Sequence, residues 1–133
     1  MSPQETISTL QQFLTACLTA VQKAKGGTMS REEAALEISG TGICLHLWDP
    51  CADPTSGGYQ KIALVIGKEG CHAIKELIDL AADLEVPKKH YSGDYQKDWD
   101  ALVMRVKRLE EMLAVKHNQK DRDHREEQRH FAI

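Results

Sequence analysis

From Trp99 onward, Leu102, Val106, Leu109 and Leu113 recur at alternating spacings of three and four, with Val103 beside them. This is a heptad stripe of about two repeats. It draws a greasy ridge along one side of a helix that starts near Asp94. The stripe stops abruptly, because the next seam positions are Lys116 and Lys120. Two heptads are too few for a self-sufficient coiled coil. The ridge must therefore be covered, either by the rest of the chain or by the same helix of a second copy. Trp99, Leu102, Val106, Leu109 and Leu113 are thus the candidate interface, and a homo-oligomer, a dimer in its simplest form, is expected.

The segments that must supply such a cover are legible upstream. Ser2-Pro3-Gln4-Glu5 has the form of a capping box with proline at the first helical position. Ile7, Leu10, Leu14, Cys17, Leu18 and Val21 then share one helical face, and Gly26-Gly27 can end the helix in a left-handed turn. A helix over 3–25 is predicted. Ser30-Arg31-Glu32-Glu33 repeats the box and opens a shorter helix over 31–38, stopped by Gly40 and Gly42. A further helix is read over 71–85, before Pro87, and a linker over 86–93.

Between these helices the period changes. Ile43, Leu45 and Leu47 alternate with Cys44, His46 and Trp48, as in a strand. Ile62 to Ile66 is a β-rich run that reads as a second strand. The two make an antiparallel hairpin with a long connection, which must pack on helices or join a sheet with another subunit to survive in water. The expected fold class is α+β and mainly helical: about four helices, a central β-hairpin, and a C-terminal helix carrying the short heptad stripe. One globular domain is expected over 1–115, with 116–133 as a charged helical extension or flexible tail.

Charge narrows the functional classes. The formal charge is -3, and all of the excess falls in residues 1–80, while the remainder is charge-dense but balanced. General attraction to a nucleic-acid polymer is not expected from such a balance. The longest apolar run, Ile62 to Ile66, cannot span a bilayer, and the N-terminus lacks the basic start of a secretory signal. No membrane association and a cytoplasmic location are expected.

Four cysteines, at 17, 44, 51 and 71, show no Cys-x-x-Cys spacing. Free thiols in a reducing compartment are expected. Cys17 lies on the apolar face of the first helix and reads as core. Cys44, His46, Cys51 and Cys71, with His72, permit a zinc site or a thiol nucleophile, but the ordinary alternative is a half-buried strand face. His117, Asp121 and His124 fall on one helical stripe and read as solvated surface. No cofactor and no metal are expected. Residues 49–60 form the longest irregular stretch. Within it Asp49, Asp53, Ser56, Gly57, Gly58 and Tyr59 are the candidate binding loop, because long loops inside compact domains often carry function.

One stretch carries a family resemblance. Leu64-Val65-Ile66-Gly67-Lys68-Glu69-Gly70, followed by Ile74-Lys75, resembles the core of the KH family of single-stranded nucleic-acid-binding modules over about a dozen residues. In that family a Gly-x-x-Gly loop joins two helices and lets the backbone approach the sugar-phosphate chain. The resemblance implies a clamp made of Gly67, Lys68, Glu69 and Gly70, with Lys68 on phosphate and RNA as partner. The plainer alternative is a strand-to-helix turn that uses the glycines for backbone geometry.

Three functions follow in order of support. The first is a small soluble oligomeric interaction or regulatory protein that binds a macromolecular partner, an unspecified protein, without catalysis. The second is a KH-like RNA-binding module using Gly67, Lys68 and Gly70. The third is a thiol- or zinc-dependent enzyme centred on Cys44, His46, Cys51 and Cys71.

Overall fold

A computed structural model describes residues 2–131, with side chains through residue 114. Its elements run α1 (Pro3–Lys25), α2 (Arg31–Cys44), α3 (Trp48–Ala52), α4 (Gly57–Leu84), a single 3₁₀ turn (Lys88–His90) and α5 (Tyr95–Phe131). No strand occurs among the described residues, so the fold is all-helical and the α+β expectation is corrected. None of these helices is long and apolar enough to cross a membrane.

The helix starts follow capping chemistry. The Oγ atoms of Ser2, Ser30 and Ser56 accept hydrogen bonds from the amides of Glu5, Glu33 and Tyr59 at 3.2, 3.1 and 3.0 Å. Each satisfies a donor that the first helical turn leaves free. Asp94 does the same for α5, accepting from the Lys97 amide at 3.2 Å. The end of α1 is a Schellman turn: Gly27 sits at φ 79, and the Thr28 amide reaches back to the Lys23 carbonyl at 3.0 Å.

The hairpin fails at both of its strands. Gly40 and Gly42 do not stop α2, which runs on through Ile43 and Cys44. Gly42 is there for contact: a Cβ on it would stand 2.6 Å from Ile78 and 3.2 Å from Phe13. The end of α2 comes two residues later, at Cys44, in a second Schellman turn. His46 occupies its left-handed position at φ 56, with His46 N–Ile43 O at 3.0 Å and Leu47 N–Gly42 O at 3.0 Å. Ile62 to Ile66, the other expected strand, lies inside α4, with Ile62 and Ile66 buried one turn apart. A short apolar run has no periodicity of its own to separate strand from helix, and the Ser56 cap decides for helix.

The long α4 is two arms. Gly67 interrupts it at φ 75 and ψ 171, a conformation open essentially to glycine alone. The arms fold back on each other at this point. The Cys71 thiol donates to the Tyr59 carbonyl at 3.7 Å, although a straight helix would separate these residues by about 18 Å. Gly70 lets the arms close, since a Cβ there would lie 2.4 Å from Ile66.

The helices share one core. On α1 it is reached by Leu10, Phe13 and Cys17, so the buried face is turned from the expected one, and Leu14, Leu18 and Val21 pack at its edge. α4 packs on α1, α2, α3 and α5, while α5 also meets α1. Trp99, Leu102, Val106, Leu109 and Leu113 are all buried in this core. The heptad ridge is thus covered by the chain's own helices. Each such side chain contributes about 1.5–3 kcal/mol through burial. The 85–94 connection is tied down by Tyr95 Oη donating to the Leu84 carbonyl at 2.6 Å and by the Lys88 amide donating to Glu32 at 3.3 Å.

Candidate functional site

The described residues offer one strongly charged cleft between two long helices. It lies between α4 and α5 and has a volume of about 430 Å³. Lys68, Glu69, His72 and Glu76 line it from the second arm of α4, and Arg105 and Arg108 from α5. The break at Gly67 puts Lys68 at the start of that arm, at one end of the cleft. His72 and Glu76 project to the same side because they are one turn apart. Arg105 and Arg108 flank the buried seam residues Val106 and Leu109, so the ridge that anchors α5 also aims these two cations.

Glu76 is the hub of the cleft. Its Oε2 accepts from Arg105 Nη1, and its Oε1 lies 3.0 Å from His72 Nε2. The hydrogen bond from Arg105 holds the Glu76 carboxyl below the usual carboxylate range, with the charges of Arg105 and His72 adding to it against the cost of burial. Arg105 Nε is buried and has no hydrogen-bond partner. Lys68 and Arg108 form no ion pair among the described residues. On the neighbouring face of α4, Asp79 accepts from Trp48 Nε1 at 2.7 Å and from Lys75 at 2.8 Å. That carboxylate is already fully engaged in holding α3 to α4.

The residues singled out from the sequence scatter. Of the candidate binding loop, Asp49 lies in α3, while Gly57, Gly58 and Tyr59 form the first turn of α4. Ser56 is spent as the α4 cap, and Asp53 closes a local turn by accepting from the Thr55 amide at 3.0 Å and its hydroxyl at 2.6 Å. Those two bonds hold the Asp53 carboxyl below its ordinary range. Gly58 is pressed against Pro50, where a Cβ would stand 2.8 Å away. The expected long loop is therefore mostly helix, and its polar groups serve caps and turns.

The cysteine cluster also divides. Cys44, His46 and His72 are exposed, whereas Cys51 and Cys71 are buried with their thiols facing each other. Burial, and then the neighbouring Cys71, push the Cys51 thiol up to about 12, and burial raises Cys71 as well. Nucleophilic chemistry calls for the opposite shift. Among the described residues no three His, Cys, Asp or Glu side chains gather where a metal ion could be held. His117, Asp121 and His124 fall outside the described side chains.

Of the clamp implied by the KH resemblance, Gly67 joins two helical arms and Lys68 is exposed, but Gly70 is buried beneath Ile66. The sheet on which a KH module is built has no counterpart among the described residues. Glu76, Arg105 and Arg108 were not among the candidates. The signal for them was present in the His72–Glu76 spacing of one turn and in two arginines bordering a buried seam.

No protein-family model matches this chain, and no curated protein or solved structure matches it.

Proposed function

We propose that this chain is a small binding protein that docks on a protein partner without performing chemistry on it, and that the partner sits in the cleft between α4 and α5. The observation that carries this reading is the pair Lys68 and Arg108. They stand on two different helices, both exposed, and neither has an ion-pair partner among the described residues. On the same arm of α4, Lys75 is paired with Asp79, and Glu76 is paired with Arg105 of α5. Unmatched cations around a concave surface favour encounter and register with a complementary partner. The covered state of Trp99, Leu102, Val106, Leu109 and Leu113 removes the need for a second copy on that ridge, so the proposal moves the contact surface to the cleft.

The test is a comparison of two tagged chains, the unaltered protein and the Lys68→Glu/Arg108→Glu double variant. Both should give the same helical circular dichroism, because both side chains are exposed. A partner retained by the unaltered chain and weakened by about tenfold or more in the variant supports the reading. Equal retention by both chains would refute it.

A further inference from the structure

We infer, on the basis of the cleft-binding reading above, that the cleft accepts an acidic peptide segment of the protein partner, with neighbouring Asp or Glu side chains meeting Lys68 and Arg108. The first reason is charge. Three permanent cations, Lys68, Arg105 and Arg108, face two carboxylates, and one of these, Glu76, is already held by Arg105 and His72. Outside that network the lining holds Lys68 and Arg108 against the single carboxylate Glu69, a surplus of one positive charge.

The second reason is size. A cleft of about 430 Å³ admits a few extended side chains. The third is the character of its border. Ala73 contributes to the lining, and Met104, one helical turn before Arg108, stays 63% exposed. Such apolar surface suits the methylene stems of Glu side chains and any apolar residue between them.

A polyphosphate backbone fits less well. Each bound phosphate calls for its own Lys or Arg, and affinity grows with the number of such pairs. Here only two cations are unpaired, Glu69 is near them, and the chain carries a net charge of -3. Two carboxylates on a peptide match two free cations.

Fluorescence anisotropy of a labelled hexaglutamate peptide with the full chain tests this. The expected result is salt-sensitive binding that weakens by about tenfold in Lys68→Gln/Arg108→Gln and is unchanged in Lys25→Gln, a variant at the exposed end of α1. A labelled oligouridylate is expected to bind more weakly. Tighter binding of the oligouridylate, no binding of hexaglutamate, or binding indifferent to Lys68 and Arg108 would overturn the inference. If hexaglutamate is not bound while partner retention still depends on Lys68 and Arg108, the acidic segment is wrong and the cleft stands. If neither readout responds to the two cations, both fall.

Discussion

Gly42 and Ile78 pack so closely that a methyl group added to the glycine would stand 2.6 Å from the isoleucine Cδ1. The contact joins α2 to the second arm of α4 at the centre of the core. Gly42→Ala should destabilise the chain by about 1–3 kcal/mol, the range for overpacking a filled core. Gly40, two residues earlier, has nothing within 4 Å of where its Cβ would be. Gly40→Ala should stabilise α2 by up to about 1 kcal/mol. Urea unfolding of the two variants checks this, and shifts of the same sign would contradict the packing.

His46 and Gly67 make an opposite pair. His46 holds a left-handed backbone that glycine adopts more easily, so His46→Gly should raise stability by about 0.5–1 kcal/mol. Gly67 holds a conformation that other residues avoid, and Gly67→Ala should lose about 1–3 kcal/mol. Thermal melts read both. A neutral Gly67→Ala would mean that the arms of α4 do not turn at that residue.

Thiol reactivity should separate the cysteines. Cys44 is exposed, while Cys17, Cys51 and Cys71 are buried, and burial holds the first two of these near 12. Titration of the native chain with an aromatic disulfide reagent should therefore label Cys44 promptly and the other three only after unfolding. Rapid reaction at Cys71 would revive the nucleophile reading.

Acid should loosen the cleft. In the folded chain Arg105 holds Glu76 below its ordinary pKa of 4.5, so the unfolded chain takes up this proton first. The stability from this pair is present above the ordinary carboxyl range and is lost as the pH falls through the lowered folded value. Melting temperature should drop across that window, and Glu76→Gln should make the drop shallower. Added salt should also blunt it, because the pair is partly exposed. An identical acid profile in Glu76→Gln would show that Arg105 does not set this carboxylate.

Much of the helical frame was readable from the residues. Ser2-Pro3 and Ser30 announced two helix starts, Gly26-Gly27 an end, and the spacing from Trp99 to Leu113 a buried seam. Two short apolar runs carry an ambiguous signal. Ile43 to Leu47 alternates like a strand, yet it spans the last turn of α2 and a Schellman turn made with a histidine instead of a glycine. Ile62 to Ile66 has β-branched residues, but Ser56 caps a helix ahead of it, and packing of Ile62 and Ile66 outweighs local preference. Gly42 looks like a stop in the sequence because a glycine is spelled the same for a turn and for a close contact. Lys68 was legible as an exposed cation at a glycine turn. Its companions Arg105 and Arg108 were not, because only the fold brings residues so distant in sequence to one cleft.

The docking cleft is the central claim, and hydrogen exchange of the chain with and without its captured partner tests it most directly. Slowed exchange should concentrate in residues 67–76 of α4 and 104–108 of α5, with α1 unchanged. Protection centred on α1 or the exposed face of α2, with the α4–α5 cleft as open as in the free chain, would contradict the account.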